Sequence, residues 1–403
     1  MTPYSIYIHI PFCQKRCHYC DFNTYAGRES LIPEYMRAVQ KEIQTLAPKL
    51  LELQSVHTLY FGGGTPSLLP IKEINETLEQ IQQAFNLESD AEISMEANPG
   101  TITPAYLLNL HNTGINRLSL GVQSAQPGEL RLLGRQHTYQ DVIQALKWSR
   151  QAGFENLNLD LIFGLPGQTL AQWQSTLTQA LDLDPEHFSL YALTIEPGTP
   201  MFDWASRGLI STPDPDLAAD MYDLACETLD TAGYIQYEIS NFAKRHSRFP
   251  IPNSPLVNPR FACRHNLQYW RNLPYLGIGA GAHGFAGGIR TSNVLTPDAY
   301  IQRMSGSVNL AELTFPQTLA TLEALPIDLE TEMRETMMMG LRLTREGVSD
   351  AKFQERFNTS IKSVFAQEVK KLLDWDLLEW AGDVLRLTPR GRLLGNQVFM
   401  QFV

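Results

Sequence analysis

Six short apolar runs, at residues 5–10, 56–61, 92–96, 117–122, 156–162 and 188–193, alternate with stretches of helical periodicity at 33–53, 71–85, 104–112, 140–151 and 170–181. A strand-then-helix unit repeated this often closes on a parallel sheet through right-handed crossovers. Half-exposed antiparallel strands are the competing reading, and the intervening helices weigh against it. Side-chain parity chooses between an open sheet and a barrel. In the first run Ile6, Ile8 and Ile10 share one face, with Tyr7 and His9 on the other. Glu92, Ser94 and Glu96 group together in the third, Arg117, Ser119, Gly121 and Gln123 in the fourth, and Asn156, Asn158 and Asp160 in the fifth. A doubly wound sheet covered by helices wants two apolar faces, so one consistently polar face predicts a partial (β/α)6 TIM-like barrel with a wet lumen.

The chain has 403 residues, more than one core usually serves, so a second module is expected. Residues 1–243 read as the barrel and 244–328 as a connecting segment with prolines at 250, 252, 255 and 259. Residues 329–403 read as a smaller, mainly helical, winged-helix-like domain. Its 11 Lys and Arg against 11 Asp and Glu, within a chain of net charge -11, argue against nucleic acid as a partner. Residues 1–11 carry no basic leader, and their apolar run is too short for a signal peptide or a membrane span, which predicts a cytoplasmic protein. Met333, Met337, Met338 and Met339 lie in an amphipathic helix and read as core filling.

Of five cysteines, Cys13, Cys17 and Cys20 fall within eight residues, directly after the first strand, at the end of a barrel where sites gather. Clustered and odd in number, they suit a metal centre rather than a disulfide framework. Three thiolates can hold three irons of a [4Fe-4S] cube and leave the fourth open to a chelating small molecule. Zinc is the rival reading. It usually takes four ligands, and only His9 or His18 stands near enough in sequence to complete the set.

The C-x3-C-x2-C spacing, inside the longer string from Tyr7 through Cys13 and Cys20 to Phe22, resembles the branch of the radical-SAM superfamily that contains oxygen-independent coproporphyrinogen III oxidase and its heme-chaperone relatives. The resemblance runs over nearly the whole chain. It implies a [4Fe-4S] cluster on Cys13, Cys17 and Cys20. It also implies S-adenosylmethionine (SAM) held by Tyr7, Tyr19, Gly63, Gly64, Thr65, Glu96, Gln123, Arg135, Asp160 and Ala192. Within that branch the oxidases carry a further cysteine where this chain has Phe22. The segment from His265 to Trp270 matches the H-N-x-x-Y-W motif of the chaperone group, with the glycine-rich run 277–284 after it.

That group's resemblance implies heme as a third cofactor, with His265, Tyr269 and Trp270 as candidate contacts, and acceptor hemoproteins, including respiratory ones at the membrane, as partners. It admits a peripheral membrane location and a homodimer. No catalytic residue is assigned. Cys263 is a second candidate heme ligand or an inert buried thiol, and His283 a candidate for closing the SAM pocket. Radical decarboxylation of coproporphyrinogen III is the enzymatic alternative, and SAM-dependent regulation without turnover a third.

Overall fold

The structure, a computed structural model, describes residues 2–50, 55–245, 259–306 and 313–403, with Lys49 and Leu50 in backbone only. The proline-rich stretch expected before Cys263 lies almost wholly outside the described residues. The chain forms two compact units, residues 1–225 with 274–326, and residues 226–273 with 327–403.

In the first unit the six expected strands are present: β1 (Tyr4–Ile10), β2 (Ser55–Gly63), β3 (Asn86–Ala97), β4 (Arg117–Gln123), β5 (Leu157–Phe163) and β6 (His187–Ala192). They pair in parallel in chain order, with no point at which the order reverses. Consecutive order with right-handed crossovers keeps every helix on one side and curls the sheet toward a barrel. The parity read from sequence is realised. Ile6, Ile8, Ile10, Leu118, Leu120, Leu157, Leu159 and Leu161 are fully buried on the helix-facing side. On the other side the register sets Ser94 beside Arg117, Glu96 beside Ser119, Ser119 beside Asn158 and Asp160 beside Ser189.

Helix boundaries follow local chemistry. Thr103 and Thr199 cap helices that begin with proline. Thr138 with Asp141, and Thr169 with Gln172, form reciprocal capping boxes at the starts of Tyr139–Gln151 and Leu170–Leu181. The latter helix buries Trp173 completely, and the indole N–H donates to the Met221 carbonyl at 2.8 Å.

The division is not the linear one expected. Residues 274–326 are no connector: Tyr275–Ile278 (here β9) pairs in parallel with β1, and β10 (His283–Ala286), β11 (Ile289–Asn293) and β12 (Thr321–Pro326) extend the sheet antiparallel beyond it. These strands are short and rich in Gly, Ser and Thr, so they lack the apolar alternation that marks a strand in sequence. Glu42, on the helix Ile32–Leu50, binds this extension to the barrel. Its carboxylate accepts from the Gly279 amide (2.9 Å), Asn293 Nδ2 (2.9 Å), Tyr300 Oη (2.6 Å) and Thr318 Oγ1 (2.7 Å). Burial pushes this carboxyl above its usual range, and the four donors pull it back.

The second unit holds the hairpin β7 (Tyr234–Gln236) and β8 (Asn241–Lys244), the helix Arg264–Trp270, and the C-terminal module. That module runs helix (Leu329–Gly340), β13 (Val348–Ser349), helix (Asp350–Phe357), two short helices (Ile361–Val364, Ala366–Asp374), β14 (Leu378–Ala381) and β15 (Val384–Leu387), then two closing helices. β13, β15 and β14 form the small antiparallel sheet of a winged-helix-like unit, turned at Gly382 with φ 65°. The two short helices are separated at Phe365, whose buried ring packs in the core with Phe353, Phe357, Leu372 and Leu385. Met337 is buried in that core and Met333 and Met338 pack against it.

Removing the Glu42 carboxylate strands four buried donors at once. Glu42→Ala is expected to destabilise the first unit by about 3–5 kcal/mol in urea unfolding followed by tryptophan fluorescence. A loss under about 1 kcal/mol would contradict this account of the extension.

Candidate metal centre and cofactor site

The three cysteines sit on a loop fastened at both ends. Phe12–Cys13 pairs in parallel with Tyr25–Ala26, the Tyr25 amide donates to the Pro11 carbonyl (2.7 Å) and the Gly27 amide to that of Cys13 (3.3 Å). At the middle, His18 donates from Nδ1 to the Leu132 carbonyl (2.9 Å), its own amide donates to Leu133, and its ring meets Trp204 edge-on at 4.8 Å. A Cβ at Gly134, where φ is 75°, would stand 2.9 Å from the His18 ring, so glycine is required there. His18 is thus a clamp on the loop.

Each thiol has its own neighbour. Thr65 Oγ1 donates to Cys13 Sγ at 3.5 Å, Arg135 Nη1 to Cys17 Sγ at 3.5 Å, and Cys20 Sγ lies 4.0 Å from Thr24 Oγ1. Burial raises the Cys13 and Cys20 thiols, the other thiols add to the rise, and the Thr65 hydrogen bond opposes it at Cys13. Among the described residues no three His, Cys, Asp or Glu side chains converge as a single-ion site. A Cβ on Gly64 would lie 2.6 Å from the Phe12 carbonyl and 3.0 Å from Cys13 Sγ, so the end of β2 presses against the first thiol. Three mutually close soft donors, with hydrogen-bond donors aimed at two of them, fit a cluster's thiolate ligands.

His9 is not a fourth ligand in this arrangement. Its Nε2 faces the Asn23 carbonyl at 2.9 Å, which assigns the proton to Nε2, and Nδ1 then accepts from Tyr7 Oη at 3.0 Å. Burial lowers its pKa and keeps it neutral. The ring also lies where a Cβ on Gly63 (φ 116°) would be, 2.6 Å away.

The other residues expected around SAM gather beside the loop. Glu96 accepts from the Gly63 amide (3.0 Å) and Tyr60 Oη (2.9 Å), and its charge reaches Tyr7. Arg135 donates to the Gly121 carbonyl (2.8 Å) and interacts with Tyr19. Asp160 accepts from Ser119 Oγ (2.7 Å) and Asn158 Nδ2 (2.9 Å), and interacts electrostatically with Glu96 and Tyr19. Gln123 takes a left-handed φ of 69° where the pairing of β4 with β5 shifts register, a rim bulge that aims a side chain. Ala192 is exposed at the end of β6, opposite Phe163.

Below this rim runs a layer that motif reading did not assign. His187 Nδ1 donates to Asn158 Oδ1, Ser189 Oγ donates to the same oxygen at 3.1 Å, and Asn158 Nδ2 donates to Ser119 at 2.6 Å. Arg117 is 2% exposed beside it. Strand parity was the signal: His187 and Ser189 share the lumen phase of β6.

In the second unit, His265, Tyr269 and Trp270 lie on one helix. His265 is 1% exposed and its Nε2 is 2.8 Å from Tyr269 Oη, one turn on. Cys263 is fully buried at that helix's N-terminus, where its amide donates to Tyr237 Oη at 3.1 Å. His283 has an exposed side chain on β10, close enough to act electrostatically on His9.

The model of the radical SAM superfamily matches residues 7–180, and that of the HemN C-terminal domain residues 327–394. The chain is 37% identical over 400 residues to the heme chaperone HemW of Bacillus subtilis, covering 99% of each chain. To the heme chaperone HemW of Synechocystis it is 41% identical, covering 85% of this chain and 79% of that one. The solved coproporphyrinogen III oxidase (HemN) of Escherichia coli superposes with a TM-score of 0.80 at 25% identity, over 99% of this chain and 90% of that one. Fold and site together define a radical SAM protein. More narrowly, the chain belongs to the family of the heme chaperone HemW.

Glu96 supplies a pH test on the cofactor-free protein. Burial, then the nearby Asp160, raises its carboxyl from 4.5 to about 7. The folded state therefore binds this proton more tightly than the unfolded chain, so its contribution to stability is full below pH 4.5 and is lost as pH rises through 7. Glu96→Gln should flatten the fall in melting temperature of the cofactor-free protein across that window. An unchanged slope would contradict the shift.

Proposed function

We propose that this chain binds heme and passes it to acceptor hemoproteins, on a scaffold that holds a [4Fe-4S] cluster and SAM. The observation that carries the reading is near-complete coverage, at 37% identity, of a relative named as a heme chaperone. Phe22 supports it from within the sequence. Where the oxidase branch has a further cysteine, this chain places a phenyl ring 63% exposed at the cluster loop.

Cys13, Cys17 and Cys20 would hold the cluster, whose fourth iron, when the cluster is bound, is open to SAM and supplies reducing power to its sulfonium. The chain's own residues do the rest. Gly63 and Gly64 allow close backbone approach at the end of β2, where an amino acid's charged ends would lie. Glu96 and Asp160 offer buried carboxylates to ribose hydroxyls, and Arg135 sets a positive charge beside Cys17. His9 holds the Tyr7 hydroxyl in place through its neutral Nδ1.

His265, Tyr269 and Trp270 are the heme contacts favoured by the motif. With Nε2 bonded to Tyr269, His265 reaches an iron through that nitrogen only if the bond opens. No helix among the described residues is long and apolar enough to cross a membrane, so a respiratory acceptor would be met from a peripheral position.

Two measurements bear on this reading. Anaerobically reconstituted protein should give a Soret band with heme and lose it to an added apo-hemoprotein. With SAM, reductant and coproporphyrinogen III it should yield no vinyl products. Vinyl products by chromatography would make the chain the oxidase, and an absent Soret band would remove the chaperone reading. Gly64→Ala should bind under half the wild-type iron and sulfide, because the added Cβ meets Cys13 Sγ and a carbonyl; wild-type loading would contradict the assignment of that glycine.

A further inference from the structure

The helix Pro127–Leu133 ends at Gly134, whose left-handed φ of 75° turns the chain back on itself. The Gly134 amide donates to the Arg131 carbonyl (3.1 Å) and the Arg135 amide to that of Leu130 (2.9 Å), so the residue after the glycine is locked to the helix end. The same helix end grips the cluster loop, through the Leu132 and Leu133 carbonyls that accept from His18. One short turn therefore fixes both Arg135 and the loop residue next to Cys17.

The side chain of Arg135 is fixed as well. Nη1 donates to Cys17 Sγ at 3.5 Å and Nη2 to the Gly121 carbonyl at 2.8 Å. Gly121 makes the room, since a Cβ there would stand 3.1 Å from Nη2. Nε is buried without a hydrogen-bond partner among the described residues, so the guanidinium is desolvated as well as held. The other thiols have weaker company. Cys13 faces the neutral Thr65 hydroxyl, and Cys20 lies 4.0 Å from that of Thr24. Among the described residues Arg135 is the one cation hydrogen-bonded to a cluster thiol.

We infer that Arg135 sets the reduction potential of the cluster before SAM arrives, by holding a positive charge and an N–H on the Cys17 sulfur. The inference rests on the cluster proposed above and deepens it, giving Arg135 a task apart from meeting SAM. Hydrogen bonds to the sulfurs and the surrounding charge are what tune such clusters. Reduction adds one negative charge to a site that already gathers three thiolates, and with little water between them the guanidinium offsets that charge strongly. Arg135 thus raises the potential and makes the reduced state easier to reach. It is a positioning residue that acts through Cys17.

The test is an anaerobic potentiometric titration of the full reconstituted chain, without SAM, followed by electron paramagnetic resonance. Arg135→Gln, which keeps a polar side chain but loses the charge, should lower the midpoint so that the reduction equilibrium falls roughly tenfold, about 59 mV for one electron. Arg135→Lys keeps the charge without the two-pronged grip and should fall less. A wild-type midpoint in Arg135→Gln would overturn the inference, and weakened SAM binding beside it would leave Arg135 as a SAM contact alone. Should Arg135→Gln hold less than half the wild-type iron, Arg135→Lys decides: a midpoint below wild type supports the inference, and one equal to wild type overturns it. If wild type itself takes up no iron and sulfide, the cluster reading falls and takes this inference with it.

Discussion

Six parallel strands that keep one parity, apolar toward the helices and polar toward the lumen, are the constraint on which everything else rests. Burying polar groups inside a barrel is costly unless each finds a partner. Here the partners lie on the same strand or the next one: Ser119 and Asn158 on Asp160, Tyr60 and the Gly63 amide on Glu96, His187 and Ser189 on Asn158. Burial makes both carboxyls resist ionisation, and the Asp160 charge adds to the rise at Glu96.

The cluster loop depends on the same barrel. It leaves the C-terminal end of β1, is pinned by its own two-residue bridge, and is clamped at His18 by the last turn of the helix Pro127–Leu133. Glycine sets the spacing at two places where another residue would intrude, Gly134 against His18 and Gly64 against Cys13. The thiols are thereby presented as a set, and burial favours the protonated form of Cys13 and Cys20, so loading a cluster on those two would release protons.

Much of this was legible in the sequence. Short apolar runs located β1 to β6, and helical periodicity located Pro104–Asn112 and Leu170–Leu181 to the residue. The Cys13–Cys20 spacing and the lumen parity of Glu96 and Asp160 carried the site. What stayed hidden was held by long-range contact. Glu42 looks like any polar residue on a surface helix, and only the return of residues 274–326 to the sheet turns it into a buried hub. Tyr7 and His9 were visible as neighbours on one face, but the proton arrangement between them depends on the Asn23 carbonyl, fourteen residues on.

Heme and SAM thus fall to different parts of the chain in this account, the one to the second unit and the other to the barrel. The barrel claim is the more basic, because without an incompletely ligated cluster there is no reason for the polar lumen. It is tested most directly by electron paramagnetic resonance of the anaerobically reconstituted, reduced protein before and after SAM is added. The account predicts a [4Fe-4S] signal whose g-values shift on addition of SAM and which is absent from Cys17→Ala. A signal indifferent to SAM, or a preparation that holds zinc in place of iron and sulfide, would contradict it.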